Sequence, residues 1–145
     1  MSSTTESVIV RRELEIAASP QTVWDLLVDP ERIVTWMGSE ARLDPHPGGV
    51  YRVAVNAEHI ASGEVLELDP PHRLVVSFGW EPTGGENLVP PGSSTIEFEL
   101  AAEGMGTRLR FTHRDLPTPE SVERHGRGWD HYLERLAVVA AGRSR

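Results

Sequence analysis

The sequence predicts an α+β fold: a curved, seven-stranded antiparallel sheet wrapped on a long C-terminal helix, with a short helix pair after the first strand. Three observations carry that expectation. Apolar and polar residues alternate with period two in one N-terminal segment and in six more between Ala41 and Arg114. Proline-led apolar stripes fill the interval between the first two strands, and from Val122 to Ala140 apolar residues recur at spacings of three and four. A chain of 145 residues fits one domain of roughly 100–200 residues, so residues 1–145 are expected to share one core, with residues 1–6 as a disordered tail.

The first strand is expected over Ser7–Ala17. Val8, Val10, Leu14 and Ile16 share a face, Ser7, Arg11, Glu13 and Glu15 take the other, and Arg12 is the exception on the apolar side. Ser19 before Pro20 is a helix start, the serine capping and the proline filling a position whose N–H needs no partner. Val23, Trp24, Leu26 and Leu27 supply the buried stripe. Asp29-Pro30 stops that helix and opens a second through Ile33, Trp36 and Met37, ended by Gly38. Strands follow at Ala41–Leu43, Gly49–Ala57, Ile60–Leu68, Arg73–Trp80, Ser94–Ala101 and Thr107–Arg114. Their short connections favour a meander. The exception is Glu81–Gly92, too rich in proline and glycine for a ladder, which is expected to be a mobile loop over one end of the sheet, with Leu88 and Val89 tucked down or acting as a lid.

The last helix carries Val122, Gly126, Trp129, Leu133, Leu136 and Ala140 on one stripe. Gly126 and Gly128 each cost roughly 1 kcal/mol of helix propensity, which points to close approach of another element or to room for something beside Trp129.

Composition narrows the chemistry. The absence of cysteine excludes disulfides, thiolate metal sites and cysteine nucleophiles. A net charge of −8, with the 14 basic residues, all arginine, scattered along the chain, opposes binding to nucleic acid or anionic membranes. No long apolar run or secretory signal is visible, so a cytoplasmic location is expected. Metal-ligand spacings, nucleophile elbows and phosphate-cradling loops are missing, so neither metal nor cofactor is expected. Glu97 and Glu99 fall on the outer face of their strand and are expected to be solvent-exposed charges rather than a paired-carboxylate site.

Alternation places Leu74, Val76, Phe78 and Trp80 on one face, with Ile96, Phe98 and Leu100, then Leu109, Phe111 and His113, on corresponding faces. With Tyr51, Val53 and Val55 they line the space beneath the long helix. A cavity is expected near Trp80, Trp129 and His113, where indole and imidazole bring polar groups into apolar surroundings. His113 is the acid/base candidate if the protein is an enzyme, His125 is expected to bond the preceding loop, and His46, His59, His72 and His131 are expected to be solvated or in turns.

Ala18-Ser19-Pro20-Gln21-Thr22-Val23-Trp24 with Asp29-Pro30 and Trp36, then Gly63 to Leu74 running on to Phe78 and Trp80, then Thr107-Arg108-Leu109, Thr112-His113, His125 and Gly128-Trp129, resemble in order the helix-grip superfamily of START domains, polyketide cyclases and the birch-pollen allergen. Within it the chain is similar to homologues of the activator of heat-shock-protein-90 ATPase. The resemblance implies a helix-grip domain that binds a small, apolar or aromatic molecule without catalysis, for sensing or carriage. Trp36, Tyr51, Phe78, Trp80, Phe111, His113 and Trp129 are the candidate ligand-binding residues. A cyclase- or dehydratase-like enzyme using the same cavity, with His113 as acid/base, is the alternative, and a chaperone-ATPase-activating module the second. The chain is expected to be a monomer or a weak homodimer.

Overall fold

The computed structural model describes residues 9–83, 85 and 87–142. The expected tail over residues 1–6, and Ser7 and Val8 of the first expected strand, lie outside the described residues.

The elements follow in the expected order: β1 (Val10–Ile16), α1 (Pro20–Val28), α2 (Pro30–Ile33), β2 (Glu40–Leu43), β3 (Val50–Ala54), β4 (Ile60–Asp69), β5 (Arg73–Phe78), β6 (Ser94–Glu103), β7 (Gly106–Arg114) and α3 (Pro119–Ala140). Side-chain caps set the helix starts. Ser19 Oγ accepts from the Thr22 N–H at 3.2 Å, Asp29 Oδ1 from the Glu31 N–H at 3.0 Å, and Thr118 Oγ1 from the Ser121 N–H at 3.0 Å.

The sheet is antiparallel throughout, in the order β1-β7-β6-β5-β4-β3-β2. Strands β2 to β7 form the meander, and the helix pair carries the chain from the β1 edge to the β2 edge. A bulge between Val65 and Glu67 shifts the β4–β5 register. Leu74, Val76, Phe78, Ile96, Phe98, Leu100, Leu109 and Phe111 are buried on the concave face, and α3 lays Trp129, Leu133 and Leu136 into the same core. The Phe111 and Trp129 rings are 4.5 Å apart. The opposite face is a lattice of cross-strand ion pairs: Arg73 with Glu67 and Glu99, Arg108 with Glu15 and Glu103, Arg110 with Glu13, and Arg114 with Glu97. Glu97 and Glu99 thus lie on the outer face, held by arginines, where such pairs favour one register more than they add stability.

Four local departures from the sequence reading have physical causes. The second helix ends at Ile33, short of Met37, because the Thr35 and Trp36 N–H groups bond the Arg32 and Ile33 carbonyls three residues back and tighten the chain into turns. The third strand ends at Ala54, short of Ala57, because Asn56 Oδ1 accepts from the Glu58 and His59 N–H groups and turns the chain. The fifth ends at Phe78, because Gly79 is pressed against the loop: a Cβ there would lie 1.7 Å from the Pro90 carbonyl oxygen. Trp80 then makes an isolated bridge to Ala61. The segment expected to be a mobile loop is tied to the sheet. The Trp80 N–H donates to Val89 O at 2.7 Å, Asn87 Nδ2 to Trp80 O at 2.6 Å, the Gly92 N–H to Ser62 O at 3.2 Å, and Val89 is buried. Among the described residues, no helix is long and apolar enough to cross a membrane.

Candidate functional site

A cleft of about 600 Å³ opens between the first half of α3 and the β5–β6 loop. Its floor and walls are aromatic and apolar: Phe78 and Trp80 from the β5 end, Trp129 and Tyr132 from α3, Met37 after α2, Val55 after β3, and Leu88 and Val89 from the loop. Glu58, His59, Glu120, Arg124 and His125 bring polar groups to it.

Trp80 is fixed on several sides. Its ring meets Phe78 edge-on at 5.3 Å and His59 at 6.1 Å, and its Nε1–H donates to His125 Nε2 at 3.0 Å. An indole nitrogen can only donate, so His125 Nε2 accepts and the imidazole proton resides on Nδ1. That proton is donated to the Ser121 carbonyl oxygen, 2.8 Å away and one turn earlier in α3.

A second chain lies directly behind. Trp129 Nε1–H donates to His113 Nδ1 at 3.1 Å, which puts the His113 proton on Nε2. His113 Nε2 donates to Ser94 Oγ at 2.8 Å, and the Ser94 hydroxyl donates to Phe78 O at 2.7 Å. The two imidazoles stand edge to face, 5.1 Å apart, as opposite tautomers. Burial, with His125 as a lesser cause, pushes the His113 pKa down to about 3, and burial likewise lowers that of His125. Both rings are neutral at physiological pH. Among the described residues, no buried side-chain nitrogen or oxygen lacks a hydrogen-bond partner, and no three histidine, aspartate or glutamate side chains are grouped to hold a metal ion.

The family model described as Activator of Hsp90 ATPase homolog 1-like protein matches residues 17–141. The chain belongs to this family. Its fold is shared with the solution structure of an AHSA1-like protein from Rhizobium etli, 50% identical, covering 93% of this chain and 82% of that one with a TM-score of 0.73. CalU16 from Micromonospora echinospora is 30% identical over 94% of this chain and 75% of that chain, with a TM-score of 0.69. At 17% identity, the Aha1 dimer from Colwellia psychrerythraea covers 95% of this chain and 99% of its own, TM-score 0.79, a likeness of fold. No curated protein matches the chain.

Of the residues singled out from the sequence, this AHSA1-like chain places Phe78, Trp80 and Trp129 on the cleft wall. His113 and Phe111 stand behind Trp129, fully buried, and support it from β7. Tyr51 of β3 is buried opposite Gly63 of β4, and burial raises its phenol pKa. Trp36 is also buried away from the cleft: its Nε1–H donates to Leu26 O at 2.7 Å, and its carbonyl accepts from Arg135 Nε of α3 at 3.2 Å, tying the helix pair to the long helix. Trp80 and His113 are joined only through intermediaries, because β6 separates β5 from β7: the Phe78 ring lies 5.3 Å from Trp80 and 5.0 Å from His113, and His125, bonded to Trp80, stands 5.1 Å from His113. His125 bonds within its own helix and to Trp80, not to the preceding loop, and His59 lies beside Trp80. The sequence reading did not single out Tyr132, Arg124 or Met37. The signal was present for the first two, because Arg124, Gly128 and Tyr132 recur every four residues beside the Trp129 stripe.

Proposed function

We propose that the protein binds a small, largely apolar or aromatic molecule in this cleft and does not transform it, serving in sensing or carriage. The observation that supports this best is the cleft itself. Its volume lies within the ~300–1,000 Å³ typical of small-molecule sites, and its walls pair aromatic surface with a few polar groups at the mouth. The imidazoles favour binding over acid/base catalysis. His113 has no exposed surface and both its nitrogens are committed to Trp129 and Ser94, while both nitrogens of His125 are committed to Trp80 and Ser121. A general acid or base needs a nitrogen within hydrogen-bond reach of the substrate.

The test is native mass spectrometry of protein purified from its source, followed by thermal unfolding with whatever co-purifies. A molecule bound only by the folded state raises the unfolding temperature as its concentration exceeds the dissociation constant. Trp80→Ala should abolish that rise while leaving a folded protein. An unchanged rise in a folded Trp80→Ala variant would place the site elsewhere.

A further inference from the structure

Two glycines interrupt the middle of α3, and the structure explains only one of them by packing. A Cβ on Gly126 would stand 2.9 Å from Arg12 Nη2, because Arg12, the charged residue on the concave side of β1, crosses α3 there to bond Asp130 at 2.5 Å. A Cβ on Gly128 would meet nothing within 4 Å, and φ at this residue is helical, so any residue is tolerated. Gly128 nevertheless costs helix propensity, and it lies on the cleft wall. The missing side chain leaves bare helix backbone between Arg124 and Tyr132, one turn before and after it on the same face. Arg124 forms no ion pair or hydrogen bond among the described residues. Tyr132 likewise uses its hydroxyl on no described group.

We propose that Gly128 is one wall of a slot for a flat aromatic ring, opposite the aromatic cluster around Trp80, with Arg124 and Tyr132 donating to an acceptor oxygen on that ring. This rests on the cleft being the binding site. A planar ring fits against backbone without a Cβ, where a puckered or branched molecule needs more width. Trp80, held by His125, presents a fixed aromatic surface for the ring to contact. Glu58 and Glu120 line the same cleft as Arg124, so the lining carries no excess of positive charge, and the requirement is an acceptor oxygen, phenolic or carboxylate, and not a net negative charge.

The experiment compares 2-naphthol, 2-naphthoate and trans-decalin-2-carboxylate as probes by isothermal titration on the wild type, Gly128→Ala and Arg124→Gln, with thermal unfolding of each protein alone. In the wild type both flat probes bind, and the puckered acid binds at least about tenfold more weakly than 2-naphthoate. Gly128→Ala raises the unfolding temperature of the free protein by about 2–5 °C through helix propensity, yet weakens both flat probes about tenfold. Arg124→Gln leaves unfolding unchanged and weakens them by a similar factor, more for the carboxylate than for the phenol. Equal binding of flat probes by wild type and Gly128→Ala overturns the slot. So does equal binding of puckered and flat acids by the wild type, a result that leaves the cleft as a binding site. Failure of all three probes on the wild type, together with no co-purifying molecule, overturns both the slot and the cleft.

Discussion

Lowering the pH from neutrality should destabilise this protein well before its carboxylates titrate, because His113 is folded as a neutral ring. Its pKa is pushed down to about 3 in the folded state, against 6.5 when exposed in the unfolded chain. The unfolded state therefore binds the extra proton between these values, and stability that is complete above about pH 7.5 declines as pH falls through 6.5 and continues to decline until about pH 3. The slope is about 1.4 kcal/mol per pH unit, so at about pH 5 His113 alone removes roughly 2 kcal/mol, a large share of a typical stability of 5–15 kcal/mol. His125, whose pKa is also lowered by burial, acts in the same direction. Glu13 and Glu81 have pKa values lowered by their arginine partners, so what they contribute is present above 4.5 and is lost only below it. Urea unfolding followed by tryptophan fluorescence at a series of pH values between about 7.5 and 5 measures this directly, with His113→Gln, which removes the titrating group, as the control. A wild-type free energy that stays level over that interval would refute the reasoning, as would a His113 ring that titrates near 6.5 by NMR.

Other expectations follow from the same contacts. Ser94→Ala leaves the His113 Nε2–H without its acceptor in a fully buried position and should cost about 1–3 kcal/mol by urea unfolding. Gly79→Ala forces a Cβ against the Pro90 carbonyl oxygen, which belongs to backbone and cannot swing aside. It should destabilise by about 2 kcal/mol or more and weaken any ligand of the cleft, because Leu88 and Val89 move with the loop. Gly126→Ala should stay within about 1 kcal/mol of the wild type, since helix propensity gained offsets a displaced, half-exposed Arg12 side chain. Phe111→Ala should cost about 3–5 kcal/mol by removing the ring on which Trp129 packs.

The fold was legible because each signal that specifies it is local. Period-two alternation in β1 and β4 to β7, the Ser19-Pro20 and Asp29-Pro30 helix starts, and the 3.6-residue stripe of α3 are all carried by neighbouring residues. What was not legible depends on registers and on long-range hydrogen bonds. The Ser94 hydroxyl that joins β5 to β7 is an ordinary serine in sequence, and only the pairing Ile96↔His113 brings it to the imidazole. His125 falls on the helix face that the stripe predicts, but its partner Trp80 is 45 residues away and lies past the end of its strand, where alternation no longer applies. The helix glycines were visible as anomalies. Separating them needed the position of Arg12, whose charge on an apolar face was the one sequence clue to that crossing.

The four indole N–H groups provide the most direct test of the cleft as a binding site, because they divide into two inside and two outside it. Trp80 and Trp129 line the cleft, whereas Trp24 and Trp36 are buried around the helix pair, Trp36 bonded to Leu26 O. In a ¹H–¹⁵N spectrum titrated with the co-purified molecule or with 2-naphthoate, the cross-peaks of Trp80 and Trp129 should move in a saturable manner while those of Trp24 and Trp36 stay in place. Movement of Trp24 or Trp36 as large as that of Trp80, or no movement of Trp80 at saturation, would contradict binding in the cleft.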